Sequence, residues 1–425
     1  MRLLIKHGLV VDPSQALEAQ QDILIEAGHI VAMAAELIVA DAQIFDATGL
    51  VVAPGFIDLH THLREPGRED KETIETGLRA AAAGGFTSIC CMPNTQPVND
   101  NATITHFIKA QAAKLNSVNL FPIGAITKGS HGEQLAEIGE MYQAGIVAIS
   151  DDGHPVSSAQ VMRRAMEYAQ TFGLPVVDHC ENRDLAASGV MNEGNYSSLL
   201  GLKGMSHLAE EADVQRDILL ATATGAHAHI AHLSTAGSLA MVRQAKAQGL
   251  KVTCEVTPHH FCLTDSAVEG FDTNTKMNPP LRTSADIEAL IGGMIDGTVD
   301  AIATDHAPHH ADEKAREYDH DPFGIVGLET AVSLSLDRLY HTGRIGLMRL
   351  IELFTSGPAR VFKLTGRGTL AIGAIADITI LDLNRKVKVD VSEFYSKSRN
   401  TPFIGWQLQG RAVATIVKGQ IIYQA

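Results

Sequence analysis

The chain predicts a mixed α/β fold: a (β/α)8 barrel of the TIM type carrying a small β-sandwich domain built from both termini. Three observations carry this expectation. From about residue 51 onward, eight short apolar runs alternate with stretches whose apolar residues recur at helical spacing. Both ends of the chain hold short β-like runs broken by Gly, Asp and Pro. No Gly-x-Gly-x-x-Gly turn follows the first strand, which argues against a doubly wound open sheet, the nearest rival. A length of 425 residues accommodates one large barrel with an added module.

In chain order, residues 1–53 contain the β-like runs 3–5, 23–25 and 30–32 and form the first part of the sandwich. The barrel is expected over 54–365, with strands at 52–59, 87–92, 119–126, 146–150, 175–179, 228–232, 251–256 and 300–304. Helical spacing is found at 71–83, 158–170, 210–222, 236–248 and 285–294. Residues 366–425 return to hairpin signals and complete the sandwich. The stretch 309–322 is crowded with charge and reads as a long, solvated loop over the barrel mouth, with the position of a lid.

A content of 45% hydrophobic and 20% charged residues is that of a globular protein with a packed core. The formal net charge of -15 argues against nucleic acid or an anionic membrane as partner. Five cysteines are too few for a disulfide scaffold; Cys90, Cys91, Cys180 and Cys254 lie in apolar runs and read as reduced core residues, with Cys262 left open. The N-terminal apolar run is too short for a signal peptide and no stretch is long enough to span a bilayer, so a cytoplasmic location is expected.

Active sites of such barrels lie at the C-terminal ends of the strands, and there the sequence places a coherent polar set. His60 and His62 close the first strand, one residue apart and therefore on the same side. Asp151-Asp152 close the fourth, His179 the fifth, His232 the sixth and Asp305 the eighth. Imidazole and carboxylate donors of this kind suit zinc, and a carboxylate between two ions can bridge them. Taken singly, His179 could be a satisfied core histidine, and Asp152 or Asp305 a helix cap. Taken together, donors at one end of five strands form a metal-site pattern. Arg64 adds a fixed cation suited to a carboxylate. His227 and His229, in the opposite phase to His232, are expected to face the helices.

With these residues in view, the chain resembles the amidohydrolase superfamily and, within it, the dihydroorotases of the long bacterial type (class I), nearly end to end. The resemblance rests on Asp58-Leu59-His60-Thr61-His62-Leu63-Arg64-Glu65-Pro66-Gly67, Met92-Pro93-Asn94-Thr95, Ser150-Asp151-Asp152-Gly153, Met277-Asn278-Pro279-Pro280-Leu281-Arg282 and Thr304-Asp305-His306-Ala307-Pro308-His309. It implies reversible cyclisation of N-carbamoyl-L-aspartate to L-dihydroorotate in pyrimidine biosynthesis, with one or two zinc ions per subunit. His60, His62, Asp152, His179, His232 and Asp305 would be the ligands, and Asp305 also the acid/base. Arg64, Asn94 and His309 would hold the substrate carboxylate, with His62 alongside. Asn278 would contact the ring, and the backbone at Phe323-Gly324 would complete the pocket. Spacing does not choose between Asp151 and Asp152; the family position favours Asp152.

Hydantoinases, allantoinases and many dihydroorotases bridge two metals with a carbamylated lysine at the end of strand four, whereas this chain has no lysine between Lys128 and Lys203. That departure weakens the reading as another cyclic amidase. A third reading is a non-catalytic partner of aspartate transcarbamoylase, a role in which the ligands are typically eroded. The expected partners are a small-molecule substrate and a second copy in a homodimer, with association with aspartate transcarbamoylase left open.

Overall fold

The computed structural model describes residues 2–425; Met1, which opens the expected N-terminal segment, lies outside them. The chain begins with β1 (Arg2–Asp12), β2 (Leu17–Glu26), β3 (His29–Ala34), β4 (Gln43–Asp46) and β5 (Val51–Pro54). Then come β6 (Phe56–Thr61), β7 (Phe86–Cys91), β8 (Asn119–Pro122), β9 (Ile149–Ser150) and β10 (Val176–Asp178). A small parallel ribbon, β11 (Met191–Asn192) and β12 (Gly204–Met205), precedes β13 (Ala228–Ile230), β14 (Val252–Val256) and β15 (Ala301–Ile302). The chain ends with β16 (Ile378–Lys388), β17 (Gln407–Val417) and β18 (Gln420–Gln424).

Strands from both termini pair in one mixed sheet, in the order β18-β17-β16-β5-β1-β2-β3, with β4 also paired to β1. Their alternating apolar residues, among them Ile5, Val10, Ile23, Val52, Ile378 and Ile416, meet in one core. The termini thus share a module, as the sequence indicates, and it is a single hydrogen-bonded sheet. The apolar run expected as one strand over 52–59 divides at Gly55. Val51–Pro54 pairs with β16 in the terminal sheet, while Phe56–Thr61 pairs with β7. A Cβ at Gly55 would collide with the Thr87 side chain, so only glycine lets the chain pass there from one sheet to the other.

The remaining strands run parallel in sequence order. β6, β7 and β8 form one sheet and β9, β10, β13, β14 and β15 another. Bridges Gly124↔Ile149 and Thr61↔His306 join the two at both edges, so the eight strands make a continuous ring. Strand residues from around the ring, including Ile57, Leu59, Cys90, Ile123, Val177 and Ala301, pack with Ala359, Val361, Phe362 and Leu364 to fill its interior. A larger apolar cluster joins the outer strand faces to the surrounding helices.

Helices form where helical spacing predicts them: Ile74–Gly84, Ala159–Phe172, Leu208–Thr224, Ala236–Ala247 and Ser284–Asp296. Their boundaries follow local chemistry. Thr73, Ser158, Thr235 and Thr283 cap the N-termini of four of them, and Gly85, Gly173, Gly225 and Gly297 take left-handed conformations at C-termini. All five cysteines are free, four of them buried and Cys262 half-buried. Among the described residues, no helix is long and apolar enough to cross a membrane.

The 309–322 stretch is solvated along most of its length, as expected, but it is anchored at a few buried positions. It contains a short helix, Ala311–Lys314, and its His309, Lys314, Tyr318 and Asp321 are buried. Lys314 Nζ lies 2.7 Å from Asp321 Oδ2, and the buried Lys276 donates to the carbonyls of Tyr318 (2.6 Å) and Asp321 (2.8 Å). Lys314 and Asp321 are thus turned inward and paired, while Asp312, Arg316, Glu317 and Asp319 stay exposed as expected.

Candidate metal centre

The six expected donors converge at the C-terminal end of the ring, and all are buried. His60 Nε2 lies 3.4 Å from both Asp152 Oδ1 and Asp305 Oδ1, and His62 Nε2 lies 3.1 Å from Asp305 Oδ1 and 3.4 Å from Asp152 Oδ2. His232 Nε2 is 3.4 Å from Asp152 Oδ1, and His179 Nδ1 is 2.9 Å from His232 Nε2 and 3.8 Å from Asp152 Oδ1. One Asp152 oxygen therefore faces His60, His179 and His232 while the other faces His62. Two overlapping triads, His60/His62/Asp305 and His60/Asp152/His232, each bring their donor atoms within 4.8 Å of one another.

The donor set fits a cation. His60 Nε2, Asp152 Oδ1 and His232 Nδ1 are buried and lack hydrogen-bond partners, an arrangement too costly to keep without a compensating charge. Burial pushes the Asp152 and Asp305 carboxyls up, but His60 and the neighbouring imidazoles outweigh it and hold both well below the usual carboxylate range. Burial pulls His60 down, and Asp152 and Asp305 carry it well above the ordinary histidine value. His62 is lowered, by burial first, against the opposing hydrogen bond to Asp305.

Backbone geometry explains how these side chains leave the strand alternation. His232 (φ 31°) and Asp305 (φ 47°) both sit in the left-handed region, just beyond β13 and β15, as does Arg64 (φ 62°) beyond β6. Asp58 accepts from the Thr304 hydroxyl (2.6 Å) and amide (3.1 Å), which clasps β6 to the last strand of the ring beside the donors.

Asp151, left open by spacing, turns away from the centre. It accepts the amides of Ile126 (2.8 Å) and Thr127 (3.1 Å) and the Thr127 hydroxyl. Asn94 accepts from His62 Nδ1 at 2.9 Å, and Asn278 Nδ2 lies 3.2 Å from His179 Nε2. Arg64 Nε donates to the Pro308 carbonyl (3.2 Å), and its Nη2 lies 3.5 Å from His309 Nε2, which in turn is 2.8 Å from the Phe323 carbonyl. The Gly324 amide donates to Lys276 O (2.9 Å), and its missing side chain leaves room for Ala307 and His309. Asn94 and Asn278 therefore bond donor imidazoles directly, while Arg64, His309 and Phe323 form a linked group of their own with Gly324 against His309.

Two carboxylates stand behind the donors that sequence reasoning did not select. His60 Nδ1 is 2.8 Å from Glu255 Oε1, and His179 Nε2 is 3.5 Å from Glu181 Oε2, which also accepts from Asn278 at 2.6 Å. Each fixes which imidazole nitrogen faces the centre. Burial pushes Glu255 up, but hydrogen bonds from His229 and His60 carry it down to about 2. The available signal was a glutamate inside the apolar run of β14 and another two residues beyond His179.

The expectation that His227 and His229 face the helices is overturned. His229 Nε2 is 3.2 Å from Glu255 Oε2, and both rings bond the Thr253 hydroxyl on the neighbouring strand at 2.8 Å. The phase argument carried alternation through His232, whose left-handed backbone breaks it. A further grouping, Asp178/Cys180/Asp217, is already neutralised by Arg216, which lies 2.8 Å from Asp178, 2.8 Å from Asp217 and 3.1 Å from Asp213.

Fold and site together define a metal-dependent hydrolase of the amidohydrolase class. Residues 49–238 match the Dihydro-orotase-like family and residues 321–423 the Amidohydrolase family. The chain is 53% identical to the dihydroorotase of Citrifermentans bemidjiense, with all of both chains covered, and 54% identical to that of Pelotomaculum thermopropionicum, covering 100% of this chain and 99% of the relative. It belongs to the dihydroorotase family. Among solved structures it resembles L-hydantoinase (dihydropyrimidinase) from Arthrobacter aurescens, with TM-score 0.90 and 26% identity over 99% of this chain and 96% of the other. It also shares the fold of dihydropyrimidinase from Brevibacillus agri, with TM-score 0.85 and 23% identity over 100% and 95% of the two chains.

Proposed function

We propose that this chain is a zinc-dependent dihydroorotase that interconverts N-carbamoyl-L-aspartate and L-dihydroorotate, with the barrel of residues 54–365 catalytic and 1–53 and 366–425 as its β-domain. The carrying observation is the convergence of four imidazoles and two carboxylates beside a cationic pocket. His60, His62, Asp152, His179, His232 and Asp305 would hold the ion. When bound, zinc supplies Lewis acidity that polarises a carbonyl and lowers the pKa of water toward neutrality.

The chain's own residues do the rest. Arg64 Nη2 lies 3.5 Å from His309 Nε2, whose hydrogen is directed to the Phe323 carbonyl; a substrate carboxylate entering here would take the Arg64 N–H groups and share the His309 hydrogen with that carbonyl. Asn94 and the backbone at Phe323-Gly324 complete this side, and Asn278 faces the ring. Asp305, kept ionised, takes the proton of the attacking water and delivers it to the departing ring nitrogen; in the cyclising direction the proton moves back along the same route.

Retention of all six donors separates this reading from a non-catalytic partner of aspartate transcarbamoylase. Sizing of the protein alone and mixed with that enzyme tests for a homodimer and for such association. Five free thiols fit a cytoplasmic location. The deciding experiment is turnover of L-dihydroorotate at mildly alkaline pH by protein of measured metal content. Activity lost on chelation, restored by zinc, and reduced about 10²–10⁴-fold in Asp305→Ala is expected. Hydrolysis of uncharged hydantoins without turnover of dihydroorotate would overturn the reading.

A further inference from the structure

Lys71 has no role in the site as derived so far, yet it is buried beside His309. Its Nζ lies 3.2 Å from His309 Nδ1 and 2.9 Å from Glu313 Oε2. On the other side of the ring, His309 Nε2 lies 2.8 Å from the Phe323 carbonyl.

These distances determine where the imidazole proton sits. A carbonyl only accepts, so Nε2 carries the hydrogen; an ammonium only donates, so Nδ1 presents its lone pair. The opposite tautomer would set the Nδ1 proton against the Lys71 ammonium and the Nε2 lone pair against the Phe323 oxygen. Its compensations would be two longer contacts, Nδ1 to Glu313 and Nε2 to Arg64 Nη2, both at 3.5 Å against the 3.2 Å and 2.8 Å of the favoured form. Burial and the surrounding cations Arg64, Lys71 and Lys314 also push His309 far below the ordinary histidine value, so the ring is neutral with a single proton to place.

We infer that Lys71 is a positioning residue for substrate binding: by donating to Nδ1 it locks His309 as a neutral Nε2–H donor beside Arg64, aimed at the substrate carboxylate. The inference rests on the reading of the site given above. It predicts an effect on substrate affinity more than on the chemical step, because Lys71 reaches the reaction only through His309.

The test is steady-state kinetics of the zinc-loaded enzyme with L-dihydroorotate. Lys71→Met should raise KM about 10-fold with kcat within about 3-fold of the parent, and Lys71→Arg, which keeps a charged donor, should recover most of the loss. In a His309→Asn background, Lys71→Met should add little further rise in KM. An unchanged KM in Lys71→Met, a loss confined to kcat, or full multiplication of the two effects would overturn the inference. Should Lys71→Met fail to fold, ¹⁵N shifts of His309 in the parent protein decide: the Nε2–H tautomer supports the proposal and the Nδ1–H tautomer refutes it. An active parent with an indifferent Lys71→Met refutes this inference alone, whereas an inactive zinc-loaded parent refutes the function on which it rests.

Discussion

Replacing Glu255 separates the work of a supporting carboxylate from that of the donors it serves. Its two oxygens accept from His60 at 2.8 Å and His229 at 3.2 Å, and it is wholly buried. Glu255→Gln keeps one carbonyl oxygen, which can still accept from His60 Nδ1. The amide nitrogen would then face His229 Nε2. His229 can accept there by moving its proton to Nδ1, where the Thr253 hydroxyl at 2.8 Å is able to receive it. The pair of bonds therefore survives without the charge, and only the added basicity of His60 is lost. Loss of such an outer partner costs about 10–100-fold in metal affinity, and the tautomer escape puts Gln at the lower end. Glu255→Ala has no such escape: it leaves two buried ring nitrogens unpaired, each costing about 1–3 kcal/mol, and frees His60 to rotate. Competition titration with a zinc chelator, with thermal denaturation alongside, is the assay. Expected are about a 10-fold loss of zinc affinity in Gln with stability nearly unchanged, and about a 100-fold loss in Ala with a lowered midpoint. Equal zinc affinity in the parent and Glu255→Ala would refute the argument that Glu255 prepares His60 to bind.

Arg216 is the cation shared by three buried aspartates, so Arg216→Met should destabilise the fold by about 3–5 kcal/mol, read from urea denaturation; removing Asp213 as well should recover part of the loss. Glu329, whose carboxylate takes the amides of Tyr395 (2.7 Å) and Ser396 (3.3 Å), is raised by burial to about 7 from an ordinary 4.5, so the folded chain binds the extra proton between those values. Stability should therefore fall as pH rises through that window, by about 2–3 kcal/mol for this group, and Glu329→Gln should flatten that part of the profile in paired urea titrations at pH 4.5 and 8.

What the sequence made legible was whatever depends on short range. Apolar runs marked the ring strands because each is buried on both faces, and apolar residues at helical spacing marked the helices. The donors were legible only as a set, because histidines and aspartates recur at one end of five strands, and the choice of Asp152 over Asp151 came from the family resemblance. Pairings across the ring were not. Glu255 meets His60 from 195 residues away, and Lys71 meets His309 from 238, with no local signature in either segment. His229 was misassigned because period-two reasoning holds only while φ stays extended, and His232 ends that regime. The solvated character of the charge-rich 309–322 stretch was legible, but its anchoring was not: composition shows that charges are present but not that Lys276 waits across the mouth to collect the stretch's carbonyls.

Solved structures similar in shape include hydantoinases and dihydropyrimidinases, whereas relatives similar in sequence include dihydroorotases. The two findings do not compete, because a shared ring fixes where a site lies and not which ring it opens. The choice falls to the electrostatics of the mouth. Arg64 is drawn by burial down to about 10 even with Asp305 and Asp152 nearby, and Lys71 stands behind it with Glu313 as a nearby counter-charge. A neutral ring would leave the Arg64 Nη2 group without an acceptor and the His309 N–H with the Phe323 carbonyl alone, a poorly paired state that a polar site rejects. A ring bearing a carboxylate satisfies both at once. Adding that carboxylate to an otherwise identical cyclic amide should therefore improve kcat/KM by about 10⁴-fold in the parent and far less in Arg64→Met, the comparison that ties the substrate to the cations and not to the frame.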